Sequence, residues 1–316
     1  ITGVGFQPDW TWLKKRNNAD DNILQDVART ATKYVLSNSS AAEATYAEGF
    51  KSFDSDGFTL GNANNTNQNT HTFVAWNWKG GTTSGLSGGN ITPSAYSYNA
   101  TSGFGVYKYT GNGSADQTIP HGLGAIPQLI FYKRLDSSTN WVVQSNLLGN
   151  RDQLVLNGTD AENTDSRLSD SDNWTSTFFK VGTYGDMNNN GSNHVAYVFC
   201  NVKGYCKVGT YTGGSDPFVY LGFKPAWIMF KNTSSAENWR IVDNKRDDDN
   251  PVVQHLFANS NAAEASGTSY SDFIDFLSNG FKIRSGSGEV DGSGNTIIYM
   301  AIAENPFVAN DSGTAV

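Results

Sequence analysis

Apolar side chains along this chain alternate with other residues in short runs. Trp10 and Trp12 flank Thr11, and Trp76 and Trp78 repeat the same spacing. Because successive side chains of a β-strand point to opposite faces, each tryptophan pair lies on one face of its strand. In other runs the intervening position is apolar, as at Ile130, Val198 and Ile228. This mixture predicts antiparallel sheets in which some strands are half-exposed and others are covered on both faces.

Five landmarks occur three times in the same order along the chain. Each set opens with a proline-led apolar strand, at 8–14, 127–133 and 225–231. A strand headed by asparagine follows, at Asn22, Asn140 and Asn238. The third landmark aligns Leu36 with Leu156 and Phe257, ahead of Glu43, Glu162 and Glu264. A further strand (57–60, 178–181 and 280–283) and a closing strand (74–78, 195–199 and 298–302) complete each set. This recurrence predicts three tandem copies of one module.

The predicted fold class is all-β, and the module is predicted to be a small antiparallel β-sandwich of the jelly-roll or lectin-like type. Six or seven short strands in about a hundred residues fit such a sandwich. The predicted boundaries are 1–81 for the first module, which lacks its first strand, 82–103 for a Gly-, Ser- and Thr-rich linker, 104–204 for the second module, and 205–316 for the third with a short C-terminal tail. Within the linker, Ala95–Tyr98 alternates and is a candidate cover for the open sheet edge of the first module.

Residues 19–35 carry a weak helical periodicity that the repeat argues against. Ile23, Leu24, Val27 and Ala31 would share one helix face. The corresponding stretch of the third copy contains Pro251, which a helix interior does not tolerate. Since one architecture must suit all copies, we predict strand, turn and strand here.

Composition supports the all-β interpretation and narrows the partners. Charged residues make up 16% of the chain and aromatic residues 13%, so strong helix formers are few. The net charge of −8 repels phosphate backbones and anionic lipid, which makes nucleic acid and membranes unsuitable partners. No apolar run approaches the roughly eighteen residues of a membrane span.

The sequence holds no recognisable catalytic, cofactor or metal motif. The four histidines lack paired spacing, and no nucleophile motif or phosphate-binding loop is present, so we expect no enzyme. Asp54 and Asp56 fit a tight turn better than an acid/base pair, because only the Asp/Asn-Gly step recurs. Cys200 and Cys206 flank a turn, and both a local disulfide and two ordinary strand thiols fit their spacing.

Three polar loops are the candidate ligand-binding segments, because binding residues are disproportionately carried on loops over a rigid scaffold. The candidate residues are Asp247, Asp248, Asp249 and Asn250 in the first loop, Asp186, Asn188, Asn189 and Asn190 in the second, and Asn62, Asn64 and Asn65 in the third. For each loop a solvated turn is the simpler interpretation.

Several strings resemble modules in virion-surface proteins of marine tailed bacteriophages. They include Phe6–Lys14, Ser52–Gly61, Phe73–Lys79, Asp216–Tyr220, Phe276–Lys282 and Tyr299–Glu304. The resemblance implies an extracellular particle, a tail-fibre or receptor-binding role, other virion proteins as partners, and by analogy a homotrimer. It supplies no catalytic residues. A capsid decoration subunit, a glycan-binding module and a depolymerase are the alternatives, and a host-surface glycan or protein is the expected ligand of a receptor-binding chain.

Overall fold

The computed structural model describes residues 1–265, 273–285 and 287–306. The chain forms two compact units. Unit 1 comprises residues 1–200 together with 258–263, and unit 2 comprises residues 201–257 and 264–316. The predicted C-terminal tail lies beyond the described residues from 307 onward.

Unit 1 contains a five-stranded antiparallel sheet, sheet A, in the order β4-β3-β2-β1-β7. Its strands are β1 (Trp10–Lys15), β2 (Ile23–Asp26), β3 (Lys33–Leu36), β4 (Ala44–Thr45) and β7 (Phe73–Trp78). The proline-led strand β1 lies between β2 and the edge strand β7, with Trp12 opposite Leu24 on one side and Trp76 on the other. The stretch with the weak helical periodicity is β2, a turn and β3, as predicted.

Unit 1 also contains sheet B, which has seven strands in the order β14-β13-β12-β11-β16-β9-β8. Its strands are β8 (Ala95–Asn99), β9 (Phe104–Thr110), β11 (Pro127–Arg134), β12 (Val142–Ser145), β13 (Asp152–Val155), β14 (Asn163–Thr164) and β16 (Asn193–Cys200). All its pairings are antiparallel.

Unit 2 contains sheet C, with five antiparallel strands in the order β17-β24-β19-β20-β21. Its strands are β17 (Cys206–Thr212), β19 (Pro225–Asn232), β20 (Arg240–Asp243), β21 (Leu256–Phe257) and β24 (Thr296–Ala303).

Smaller antiparallel sheets form a second layer over these three. They are β5 (Phe50–Asp54) with β6 (Gly57–Leu60), β10 (Gln117–Pro120) with β15 (Phe178–Val181), and β18 (Phe218–Tyr220) with β23 (Gly280–Ser285) and β22 (Phe273–Leu277). Single helical turns precede the closing strands at α1 (Asn64–Asn67), α2 (Gly185–Asn188) and α3 (Gly288–Asp291), and a 3-10 turn spans Ser171–Asn173. None of the helices in the described part of the chain is long and apolar enough to cross a membrane.

A buried phenylalanine from the smaller layer lies in each of three hydrophobic cores. Phe58, Phe179 and Phe281 are at most 1% exposed. The ring of Phe281 lies 5.3 Å from that of Tyr299 in sheet C. Burying one such ring stabilises the fold by roughly 1.5–3 kcal/mol, so these residues hold the two layers together.

Aromatic rings of sheets A and B pack on each other within unit 1. Trp10 stacks on Tyr197 at 4.6 Å between ring centres and lies 5.7 Å from Phe104. Trp78 contacts Phe199 edge-on at 6.5 Å. Trp10 is fully buried by this packing. The tryptophan face predicted for β1 therefore belongs to a core rather than to the surface.

The predicted tight turn after Asp54 joins β5 to β6. Asp54 pairs with Gly57, whose φ of 145° lies outside the range that other residues adopt readily. A Cβ at Gly57 would lie 2.2 Å from the carbonyl oxygen of Ile1. Asp54 accepts hydrogen bonds from the hydroxyls of Ser52 and Thr59, so it acts as a turn residue.

Two expectations about the chain path were wrong. Residues 95–99 within the predicted linker form β8, which pairs with β9 at the edge of sheet B and does not cover an edge of sheet A. The buried hydroxyl of Ser97 donates to Asp9 at 2.7 Å, which fixes this segment. The second and third landmarks were each misaligned by one residue. Trp141 and Trp239, rather than Asn140 and Asn238, take the position of Asn22, and Val155 rather than Leu156 takes the position of Leu36.

The two cysteines do not form a disulfide. The Cys200 thiol lies 3.3 Å from the carbonyl oxygen of Ala125, and burial raises the pKa of Cys200 to about 12. Of the two interpretations left open by the sequence, strand thiols are correct.

Candidate binding site

The loop at Asp247–Asn250 in unit 2 uses two of its side chains to hold its own backbone. The Asp247 carboxylate accepts hydrogen bonds from the backbone N–H groups of Val253 and Gln254, at 2.6 and 3.0 Å. The Asn250 side chain exchanges two hydrogen bonds with the backbone of Phe276. Asp248 and Asp249 are exposed. In the described part of the chain, no cluster of three or more His, Cys, Asp or Glu side chains could hold a metal ion.

The loop at 186–190 in unit 1 is built around a buried asparagine. Asn188 is fully buried, accepts from Asn112 N–H at 2.9 Å, and donates to the carbonyl oxygens of Ser114 and Gly182. Asn189 donates to the hydroxyl of Ser192. The loop is therefore a folded turn, in which Asn190 is exposed and Asp186 is half-buried.

The loop at 62–65 in unit 1 begins the single helical turn α1. Asn62 and Asn64 are exposed and Asn65 is half-buried. The side chain of Asn67 closes the turn by donating to the carbonyl oxygen of Gly61 at 2.8 Å. This loop and the loop at 186–190 each precede a closing strand. The closing strand is β7 of sheet A for the first loop and β16 of sheet B for the second.

A surface that the sequence did not single out lies on the outer side of the smaller sheet of unit 2. Phe218 and Tyr220 are 49% and 61% exposed, whereas Val219 between them is 8% exposed and belongs to the core. Phe218 lies opposite Lys282, and Tyr220 lies opposite Gly280. We call Phe218, Tyr220, Lys282 and Arg284 the aromatic face.

Cationic side chains surround the two exposed rings. The Lys207 ammonium donates to the carbonyl oxygen of Tyr220 at 2.6 Å and lies 5.8 Å from the centre of its ring. Lys282 is exposed. The side chain of Arg284 is 56% exposed and forms an ion pair of 2.5 Å with the nearly buried Asp275. The face therefore combines flat apolar surface with positive charge.

An open cavity of about 200 Å³ lies just beyond Tyr220 along the chain. Its lining residues are Phe223, Lys224, Ser278, Glu304 and Asn305. Glu304 is held by Lys224 at 2.9 Å and by Asn244 at 2.7 Å, and it is the one carboxylate among the lining residues.

The segment between the rings and the cavity is fixed by backbone hydrogen bonds. The N–H groups of Leu221 and Gly222 both donate to the carbonyl oxygen of Asn279, at 2.9 and 3.0 Å. Gly222 has a φ of 84°, which a glycine adopts at little cost. The aromatic face and the cavity are thus held in a constant arrangement within unit 2.

Sequence reasoning missed this face because Phe218-Val219-Tyr220 looks like any strand with aromatic residues facing the core. A signal lies in the comparison with a second small sheet. In sheet β10–β15, Thr118 lies opposite Lys180 in the place of Phe218 opposite Lys282. A pair of polar residues at the matching positions favours an outward-facing side for Phe218 and Lys282.

Comparison with known proteins identifies a family for this chain. No curated protein and no solved structure shows significant similarity to this chain. The profile of a domain of unknown function matches residues 1–306. The chain therefore belongs to the family DUF7483.

Proposed function

We propose that the three large sheets, each with its smaller partner sheet, are three copies of one β-sandwich module. The proline-led strands β1, β11 and β19 share one pattern of pairing, in which Trp12 lies opposite Leu24 and Trp76, Phe131 opposite Val143 and Tyr197, and Met229 opposite Ile241 and Met300. Each of these strands also carries a fully buried lysine: Lys14, Lys133 and Lys231. The buried ion pair of Asp26 with Arg29 recurs as Asp243 with Arg246, both at 2.6 Å.

We further propose that this chain is an attachment component on the surface of a tailed-phage particle, part of a tail fibre or receptor-binding protein. The observation that carries the proposal is the aromatic face, because large apolar side chains exposed next to each other are typical of interaction surfaces. The resemblance to virion-surface modules points to the particle. A homotrimer and contacts with other virion proteins belong to the same proposal.

A rigid scaffold suits such a role, and hydrogen bonds connect sheets A and B within unit 1. The Lys133 ammonium donates to the carbonyl oxygens of Ser40 and Thr139, at 3.0 and 2.8 Å. The indole N–H of Trp141 donates to the carbonyl oxygen of Leu36 at 2.8 Å. These bonds tie the loop after β3 of sheet A to sheet B. A rigid support keeps surface residues in place for binding.

Two measurements test the attachment role. Antibodies against the purified chain, applied to the parent particle, reveal by electron microscopy whether it lies on a fibre. The purified chain is then added to host cells before the phage, and we expect it to reduce adsorption. A chain that decorates the particle and leaves adsorption unchanged at saturating concentration would instead be a structural subunit, such as a capsid decoration protein.

A further inference from the structure

We infer that the aromatic face of unit 2 binds an acidic polysaccharide. In this arrangement the rings of Phe218 and Tyr220 pack against sugar rings, and Lys282 with Arg284 binds carboxylate or sulfate groups. The inference rests on the proposed attachment function and names the class of ligand for it.

The geometry of the strand suits an extended chain of sugars. Phe218 and Tyr220 are two residues apart on β18, so their side chains leave the same side of the strand about 6.5–7 Å from each other. Gly280 lies opposite Tyr220 and adds no side chain to the surface there. Lys282 lies directly opposite Phe218. Two rings and a cation therefore lie side by side on one face of the sheet.

A second small sheet has other residues at the matching positions. Thr118 and Pro120 of β10 lie opposite Lys180 and Phe178. Pro120 is buried and residues 90 and 91 bond to the backbone of Thr118, whereas Phe218 and Tyr220 are 49% and 61% exposed. The core contact at β18 comes from Val219 between the two rings, so the rings themselves lie on the surface.

Charge on the face favours an acidic ligand over a neutral one. The chain as a whole carries a net charge of −8, yet Lys207 lies beside the ring of Tyr220 and Lys282 lies opposite Phe218. Asp275 of β22 lies opposite Lys282, is 5% exposed and forms an ion pair with Arg284, so the charge of Arg284 is partly neutralised. Carboxylates elsewhere on the chain repel an acidic ligand, but this repulsion is screened over about 8 Å at physiological salt. The attraction between the face and a ligand in direct contact with it is not weakened by that screening.

A nucleic acid is the other polyanion to consider, and the structure favours it less. Binding a duplex requires neutralising a row of closely spaced phosphates. The face offers a short cluster of cations beside two rings, on a chain with an excess of acidic residues. Binding to nucleic acid is accordingly an outcome that the test must distinguish.

The experiment uses the full chain and matched polysaccharides. Affinity electrophoresis and calorimetry with alginate, a uronate polymer, and with dextran sulfate are compared with uncharged dextran and with single-stranded DNA. We expect retardation by the acidic polysaccharides alone. The double variant Phe218→Ala/Tyr220→Ala should lose at least tenfold in affinity, and Lys282→Gln should lose about three- to tenfold together with part of the salt dependence.

Controls and contrary outcomes are built into the same series. Lys180→Gln alters the matched lysine of the other sheet, and Tyr46→Ala removes an aromatic residue of unit 1 that is 44% exposed. Both should bind as the unaltered chain does, and thermal unfolding verifies that every variant is folded. Absence of binding to both acidic polysaccharides, equal binding of dextran or DNA, or undiminished binding by the double variant would overturn the inference. If adsorption is still blocked by a chain that fails these tests, the attachment role stands and only the ligand class is wrong.

Discussion

Lys133, the buried lysine of β11, allows a test in which its contribution to the free energy of unfolding is expected to rise, rather than fall, at alkaline pH. Lys133 has no exposed surface, and its ammonium binds two carbonyl oxygens rather than a carboxylate. Burial lowers the pKa of Lys133 from 10.5 to about 8, although the nearby Asp186 acts to raise it. A pKa unit corresponds to about 1.4 kcal/mol, so holding the charge in this site costs on the order of 3 kcal/mol.

We consider the variant Lys133→Met, which keeps the length of the side chain and removes its donors. Ser40 oxygen keeps a hydrogen bond from the N–H of Thr139 at 2.9 Å, whereas the carbonyl oxygen of Thr139 loses its bond from the ammonium. An unsatisfied acceptor costs about 1–3 kcal/mol, and relief of the buried charge, worth on the order of 3 kcal/mol, offsets this cost. At pH 7 we therefore expect Lys133→Met to leave the free energy of unfolding unchanged or to raise it by up to about 2 kcal/mol.

Relative to the unaltered protein, the variant Lys133→Met should become less stable as the pH rises, because the unaltered protein gains stability. Between pH 8 and 10 the unfolded chain keeps the proton of Lys133 and the folded chain releases it, so the free energy of unfolding rises with pH. The methionine variant lacks this gain. Other groups that titrate in this range are common to both proteins and cancel in the difference. We expect the free energy of unfolding of the variant, relative to that of the unaltered protein, to fall by on the order of 2 kcal/mol over this range.

Urea unfolding of both proteins at half-unit steps from pH 7 to 10 measures this difference. Lys180→Met serves as the control, since Lys180 is half-exposed. A difference between the two proteins that stays constant as the pH rises would refute the reasoning, because it would mean that Lys133 titrates alike in the folded and unfolded chains.

Other side chains give further tests of the same kind. Burial lowers the pKa of His194 to about 4, so this imidazole stays neutral in the folded chain and binds a proton below about pH 6.5 in the unfolded chain. The free energy of unfolding should therefore fall from pH 6.5 toward pH 4, and His194→Gln should flatten this dependence in urea unfolding. Replacing Arg29 by Met leaves the buried carboxylate of Asp26 without its ion pair and should lower the free energy of unfolding by about 3–5 kcal/mol. The control Arg167→Met removes an exposed ion pair and should change the urea midpoint little. Equal effects of the two substitutions would contradict the burial argument. Phe179→Ala opens a cavity between two layers and should cost about 3–5 kcal/mol in the same assay, and a loss under 1 kcal/mol would contradict the two-layer core.

The all-β class and most strand positions could be predicted from the sequence, because alternation and turn residues are local signals. The stretch at 19–35 is an example: its local pattern was ambiguous, and Pro251 in the matching stretch of the predicted third copy favoured the strands that the structure has there. The placement of β8 could not be predicted in this way. Its alternating pattern fits the edge of either sheet, and the hydrogen bond from Ser97 to Asp9 depends on the folded chain.

The candidate binding residues were harder to predict for a related physical reason. Asparagine is common in solvated loops, but its amide also replaces backbone hydrogen-bonding partners, as Asn188 does while fully buried. Conversely, Phe218 and Tyr220 alternate with a valine, and the sequence alone does not say which of the two sides faces inward. The contact of Val219 with the core decides it.

The stacking of Trp10 on Tyr197 has a practical consequence for anyone dividing this protein. A fragment ending near residue 81 would expose Trp10 and Trp78 to water, and the remaining fragment would expose Tyr197 and Phe199. Sheets A and B are thus an inseparable pair for expression and crystallisation. A truncation should therefore not fall between the two halves of the aromatic stack, and one near residue 200 would still remove residues 258–263, which belong to unit 1.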